Sequence, residues 1–274
     1  VYVQLAVLIW AFFQVSKVDF SWWEWLAFTS GMALITGGIG ITVAHELGHK
    51  AEKLEQLYAK ILLMCVCYMH FFIEHNRGHH VRVATPEDPA TSRFGENFYR
   101  FWFRSVKDGY LSAWKLEAER LKKKSIPLPI IFIVLVTGGF SIFFDRLIWE
   151  LPLFFLAQSI LGFSLLEAVN YLEHYGMERK KLANGFYEKV TPLHSWNANH
   201  TVSNFLLFQL QRHSDHHAYA YKPYQVLNHY KESPQLPAGY SAMILVAFFP
   251  PLWFAMMDPL LQNWREKTYR ESVQ

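Results

Sequence analysis

Cysteine is almost absent from this sequence: of 274 residues only two, Cys65 and Cys67 in MCVCYM, are of this type. They stand too close together for an ordinary disulfide. No CxxC pair is present to build a zinc ribbon or a rubredoxin-type iron site, so both read as small buried apolar fillers. A strong charge imbalance is lacking as well. The 26 Lys and Arg face 23 Asp and Glu, a net charge of +3, and no basic run alternates with aromatics, which argues against nucleic acid as a partner. The first residues carry no basic n-region and no small-residue cleavage site, so they do not read as a signal peptide. Nor is there an internal repeat, a low-complexity tract, or a ligand pattern for flavin, haem or an iron–sulfur cluster.

Apolar surface is what the sequence has in quantity. Hydrophobic residues make up 52% and aromatics 17%, with the charges gathered in blocks, a distribution that suggests a membrane protein contacting lipid. Spanning a bilayer as a helix takes ~20 largely apolar residues. The stretches 22–44, 129–149 and 152–172 are long enough, 240–257 nearly is, and 1–15 is a further apolar run. The sequence opens on Val1, so a longer parent protein is expected. All Lys and Arg except Lys17 and Arg146 fall in 45–128, 171–240 and 263–274. By the positive-inside tendency these three stretches face the cytoplasm, and the links near Lys17 and Arg146 face outward.

The run 57–73 (LYAKILLMCVCYMHFFI) is apolar enough to cross, but crossing would put the histidines at 45–49 and 75–80 on opposite faces, together with their basic neighbours. A re-entrant or interfacial helix is therefore expected there. TPEDPATSRFG (85–95) should be irregular, and Trp114–Lys124 a charged surface helix. The expected fold is all-α, an integral-membrane helical bundle forming a single catalytic domain over 1–274. Its helices cover about 1–15, 22–44, 129–149 and 152–172. Cytoplasmic stretches at 45–128 and 173–240 hold a histidine-rich metal-binding region, and an apolar C-terminal segment runs from about 240 to 257.

Nine of the 13 histidines sit in four clusters at the ends of these segments. HELGH gives His45 and His49, whose i, i+4 spacing stacks two imidazoles on one helical face. It also matches HExxH, in which Glu46 would serve a zinc protease as general base. A zinc hydrolase needs three protein ligands and an open position, and this chain offers many more in the same style. EHNRGHH repeats the i, i+4 pairing with His75 and His79, while His80, rotated ~100°, points elsewhere. RHSDHH supplies His213, His216 and His217, and NYLEHYG supplies His174. A lone histidine is more often structural than a ligand, but HxxxH, HxxxHH and HxxHH together in one chain point to a shared centre. Nine imidazoles are too many for one ion and suit two. All-imidazole ligation fits iron, copper, zinc or nickel.

Metal-bound imidazoles usually donate their second N–H to a carboxylate or carbonyl, and Glu46, Glu74, Glu173 and Asp215 each adjoin a ligand in sequence. Among the histidines outside the ligand set, His200 in WNANH is the best candidate to support the site. Phe163, Leu166, Asn170 and His174 fall near one face of the 152–172 helix, and the first three are candidate walls of a substrate channel. Ordinary helix packing explains that stripe equally well.

HELGHK, FFIEHNRGHH, ATPEDPATSRFGE, NYLEHYG and HSWNANHTVSNFLLFQLQRHSDHH occur in this order. Taken together they resemble the motifs of the membrane alkane 1-monooxygenases (alkane hydroxylases), within the wider group of histidine-box desaturases and hydroxylases. The similarity runs from about residue 40 to 260; NYLEHYG and LQRHSDHHAYAYKPYQVL resemble the alkane-hydroxylase branch in particular. The resemblance implies a six-helix membrane protein, of which the first two helices would be absent here. It implies two iron ions as cofactor, held by His45, His49, His75, His79, His80, His174, His213, His216 and His217, and a hydrocarbon channel leading to them. The reaction implied is O2-dependent hydroxylation of the terminal methyl of a medium- or long-chain alkane to a primary alcohol. Electrons would come from rubredoxin, and Lys122, Lys123, Lys124, Arg179, Lys180 and Lys181 are candidate docking cations beside their simpler role as solvated or lipid-facing charge. The alternatives of other classes are an acyl desaturase or sterol hydroxylase with the same metals, an HExxH membrane zinc protease, and a non-catalytic metal-binding membrane protein.

Overall fold

Among the described residues, which are 1–121, 139, 142 and 149–273, the apolar runs and the charged run after Asn97 form helices in the computed structural model, and no strand occurs. The expected 129–149 helix lies outside them but for 139, 142 and 149, and Lys122, Lys123 and Lys124 lie outside entirely. The residues gather into two compact units, Val1–Asn76 with Ala113–Leu166, and Arg77–Ser112 with Glu167–Gln274.

In the first unit the helix Tyr2–Lys17 packs Leu8, Ala11, Phe12 and Val15 against Met32, Cys65, Leu151, Phe154 and Phe155. The next helix begins at a capping box, where Ser21 N–H donates to Glu24 Oε2 at 3.0 Å, satisfying an otherwise orphaned terminal donor. From there Trp22–Gly48 runs 27 residues without a break. Its middle, Leu34–Ile41, is wound as a π-helix. The sequence TGGIG lies in this widened turn, and its Gly37 removes the side chain at the point of closest packing. Gly37 lies against Gly162, where a Cβ on Gly37 would stand 2.4 Å from the Gly162 carbonyl oxygen; such small-residue crossings let apolar helices approach closely. Beside it, Thr36 Oγ1 donates to Gln158 Oε1 at 2.7 Å, and Gln158 Nε2 donates to the Cys65 carbonyl at 2.8 Å.

The run 57–73 is divided into the helices Lys53–Met64 and His70–Ile73, joined by a turn in which Cys67 takes φ +52°. Both cysteines are free, and burial pushes the Cys65 thiol up to about 12. Among the described residues two helices, Trp22–Gly48 and Glu150–His174, are long and apolar enough to cross a membrane; Tyr2–Lys17 is apolar but has 16 residues.

In the second unit Asn97 caps the helix Phe98–Leu121 by accepting the Arg100 N–H at 3.0 Å, the usual role of Asn at a helix start. That helix starts well before the Trp114 expected from the charge pattern, because Phe98 and Phe101 bury against Tyr171. Residues 83–97 are irregular, as their Pro, Gly and polar content predicts, yet they are held tightly. Arg104 makes two bonds to the Glu96 carboxylate, 2.8 and 2.6 Å, and donates to the Pro89 and Thr91 carbonyls at 3.0 Å each. Tyr171 OH donates to the Glu96 carbonyl at 2.7 Å, and Ser92 Oγ to the Tyr171 carbonyl at 2.6 Å. The C-terminal apolar stretch forms two helices, Tyr240–Ala247 and Pro250–Val273. Trp253, Met257 and Leu261 of the second enter a core with Tyr171, Leu172 and Tyr175.

Candidate metal centre

The helix Glu150–His174 ends on the NYLEHYG motif. Gly176, at φ +67°, makes the left-handed residue that closes the helix, and its N–H donates to the Ser92 carbonyl at 2.9 Å; glycine is the residue that adopts this conformation without steric cost. The buried face of the final turn therefore points His174 and Glu173 into the second unit, where both are almost fully enclosed.

Four buried imidazoles meet there: His79, His174, His213 and His217 offer nitrogen atoms that all lie within 4.8 Å of one another. His79 Nε2 and His217 Nε2 are 3.2 Å apart. Nitrogens bound ~2.0–2.2 Å from one ion stand about 3 Å apart at a right angle and about 4 Å when opposed, so the spacing is that of a common ligand sphere. His174 Nε2 is buried without a hydrogen-bond partner, a nitrogen that a metal ion would satisfy. Burial first, then the neighbouring rings of His213, His80, His79 and His174, push the His217 imidazole well below its ordinary range. The neutral ring is the form that binds metal. By donor type, spacing and burial the four residues fit an ion.

Two carboxylates stand behind this set. His79 Nδ1 lies 2.8 Å from Asp88 Oδ2, which fixes Nε2 as the nitrogen facing the other rings. Asp88 also accepts from Thr91 Oγ1 at 2.5 Å. Burial raises its carboxyl, but His79 and Thr91 outweigh burial and hold it below the ordinary carboxylate range. Glu173 Oε2 lies 3.1 Å from His213 Nε2. Segment 195–197 adds further support. Ser195 Oγ is 3.4 Å from His174 Nδ1, and Asn197 bonds Ser214 twice, accepting its N–H at 2.9 Å and donating to its Oγ at 2.6 Å. Those bonds seat the helix His213–Ala218, which presents His213 and His217 together at i, i+4 spacing. His216 is offset from that pair, and its ring lies 4.9 Å from that of His80.

The first unit has its own convergence. His45 and His49 of HELGH meet His75, with ring centroids 4.5 to 5.0 Å apart and 3.0 Å between His49 Nε2 and His75 Nε2. Phe71 stacks on His75 at 4.7 Å. The pairing of His75 with His79 expected from i, i+4 spacing is not what forms: His75 joins the first-unit set and His79 the second. The reason is local. Glu74–His79 is a π-helix. An α-turn of 3.6 residues carries residue i+4 past residue i, whereas a turn closed by i→i+5 bonds holds more than four residues and leaves i+4 short of it.

The remaining predicted residues separate as follows. Glu46 pairs with Lys50 at 2.6 Å. Glu74 is buried. Asp215, fully buried, takes Lys222 Nζ at 2.9 and 3.1 Å, the Asn228 N–H at 2.8 Å and Tyr230 OH at 3.2 Å. It thus braces the chain after the third box, where proximity in sequence had suggested an imidazole partner. His200 is exposed at the start of the helix Thr201–Leu206 and is not brought to the histidines. Phe163 stacks on Tyr68 at 4.5 Å, Leu166 is half-buried, and buried Asn170 lies 3.5 Å from Glu167 Oε1. Arg179 is committed to the backbone, donating to the Val81, Val83 and Glu188 carbonyls at 2.7 to 3.0 Å, while Lys180 and Lys181 are exposed. Asp88, Ser195 and Asn197 were missed in the boxes' vicinity; ATPEDPATSRFGE and HSWNANH, motifs beyond the boxes, were the signal that contained them.

Comparison with known proteins finds close sequence similarity. The fatty acid desaturase family matches residues 20–247. Alkane 1-monooxygenase 2 of Pseudomonas aeruginosa is 50% identical over 254 residues, 88% of this chain and 67% of that protein. Alkane 1-monooxygenase 1 of the same organism is 46% identical, over 96% of this chain and 70% of its own. The alkane 1-monooxygenase of Acinetobacter baylyi is 42% identical, over 97% and 66%. The chain thus spans about two thirds of the length of these relatives.

Proposed function

Because the chain belongs to the alkane 1-monooxygenases, an oxidoreductase branch of the fatty acid desaturase family, we propose that it hydroxylates the terminal methyl of medium- or long-chain alkanes to primary alcohols. The observation that carries the reading is the buried set His79, His174, His213 and His217, a cage of imidazoles at the end of an apolar helix. That set would hold one iron ion, and the remaining box histidines, His45, His49 and His75 of the first unit among them, would supply ligands for a second. When bound, the iron pair supplies the activation of O2 for insertion into an unactivated C–H bond.

The protein's own part is positional. Asp88 and Glu173 hold the rings of His79 and His213 in place, and removal of such partners typically costs 10–100-fold in metal affinity or activity. Phe163, Leu166 and Asn170 are proposed as walls of an apolar channel that excludes water and orients the chain end, which makes the attack effectively intramolecular. The chain is an integral part of the inner membrane, with one catalytic domain of six-helix type and the histidines on the cytoplasmic side. The distribution of Lys and Arg supports that orientation. Electrons come from rubredoxin, docking through cations such as Lys180 and Lys181.

The test is iron content and Mössbauer spectroscopy on purified protein, followed by product analysis with octane, O2, rubredoxin and a reductant. Two irons per chain and 1-octanol are expected. Fewer than about two irons in active protein would overturn the dinuclear assignment, and an alkene product would move the reading to a desaturase. Turnover insensitive to ionic strength would remove the electrostatic docking of rubredoxin.

A further inference from the structure

Tyr240 opens the apolar segment that follows PAG, and its ring is fully buried in the core of the second unit. A phenol hydroxyl enclosed there needs an acceptor. It donates to Glu173 Oε1 at 2.8 Å, and the other oxygen of that carboxylate is the one 3.1 Å from His213 Nε2. The backbone of the same residue reaches the third histidine box from a second direction. Tyr240 N–H donates to Gln211 Oε1 at 3.1 Å, and Gln211 Nε2 donates to Asn204 Oδ1 at 2.9 Å. One residue therefore ties the end of the NYLEH helix, through its side chain, to the QRH segment, through its main chain.

We infer that Tyr240 is a positioning residue of the metal centre: its hydroxyl fixes the rotamer of Glu173, and the carboxylate so held sets the orientation of the His213 imidazole. The inference rests on the reading that the four-histidine set holds iron. The terminal torsion of a glutamate is broad and soft, so the carboxylate plane is set by its partners. Without the phenol, Oε1 is left buried with no donor from Tyr240, and the group turns to find another.

Tyr240→Phe keeps the ring and removes the hydroxyl. The full chain, stripped of metal and titrated anaerobically with ferrous iron, is read by iron bound per chain, by the rate of release to a chelator, and by Mössbauer quadrupole splitting. Tyr240→Phe is expected to release iron roughly tenfold faster and to alter the splitting, with helicity by circular dichroism unchanged. Glu173→Gln should behave likewise, and the double variant should be no worse than Glu173→Gln alone, since both act along one chain of contacts. Wild-type release and spectrum in Tyr240→Phe, additive effects in the double variant, or loss of helicity in Tyr240→Phe each overturn the assignment of Tyr240. A wild-type chain that takes up no iron overturns the metal-centre reading itself, and neither readout depends on alcohol being formed.

Discussion

Substituting Gly37 by Ala tests whether the first unit depends on the close approach of its two long helices. A Cβ at this position would meet the backbone of Gly162 at 2.4 Å (carbonyl oxygen), 2.5 Å (Cα) and 2.7 Å (carbonyl carbon). These are main-chain atoms, which cannot rotate away as a side-chain tip can. Restoring a contact of 3.0 to 3.4 Å requires the helices to move apart by about 0.6–1 Å, enough to forfeit a quarter to a half of the dispersion attraction between facing atoms. The same displacement stretches the 2.7 Å bond from Thr36 to Gln158. Overpacking of this kind costs about 1–3 kcal/mol, and in a chain of this size each kcal/mol lowers the melting temperature by about 2–4 °C. The control lies one residue away: a Cβ on Gly38 would meet nothing within 4 Å. Thermal unfolding of the purified protein in detergent, followed by circular dichroism, should show a drop of roughly 3–10 °C for Gly37→Ala. Gly38→Ala should match the wild type or exceed it, since Ala favours helix. Equal melting temperatures for the two variants would refute the packing argument.

Three further outcomes are expected. Asp88→Asn removes the charged partner of His79 and should weaken metal retention by about 10–100-fold, measured by chelator-driven release; retention equal to wild type would show that the Asp88 contact does not support the ligand. Glu96 is pushed up by burial, but bonds from Arg104 and the Arg93 N–H hold it net below its ordinary 4.5. A depressed carboxylate contributes stability that is complete above its unfolded value and fades as pH falls through the folded one. Wild-type stability should thus decline below about pH 4.5, while Glu96→Gln should be less stable at pH 7 and show a shallower acid decline; superimposable pH profiles would count against the ion pair. Leu166→Phe should shift the product profile toward shorter alkanes by gas chromatography, and an unchanged profile would remove Leu166 from the channel wall.

The histidine boxes were legible because imidazoles at i, i+4 on apolar helices leave a pattern that side-chain chemistry alone explains, and four of these residues meet as His79, His174, His213 and His217. The helices Trp22–Gly48 and Glu150–His174 were legible for a similar reason, since a long apolar run has few other folds available. Partners determined by tertiary contact were not. Asp88 stands nine residues from His79 in a proline-containing loop, and nothing local announces that Arg104 folds that loop back. Asp215 and His200 were drawn to the site by sequence proximity, whereas Asp215 turned to Lys222 and Tyr230, and His200 sits exposed at the start of a short helix. The division of the second box failed for a subtler cause: the count of residues per turn had been assumed to be that of an α-helix.

That widened turn makes the second box a phase shifter. A π-turn is equivalent to an α-helix with one residue inserted, so the spacing between His75 and the HH pair is an address as well as a distance. Deleting Asn76 or Arg77 would leave every histidine in the chain, yet rotate His79 and His80 by about 100° relative to His75, so that His80 takes the direction of His79 and His79 that of Gly78. The element is therefore intolerant of length changes in a way that substitution of its non-histidine side chains would not reveal. Insertions and deletions, rather than point changes, are the perturbations to which this segment is most sensitive.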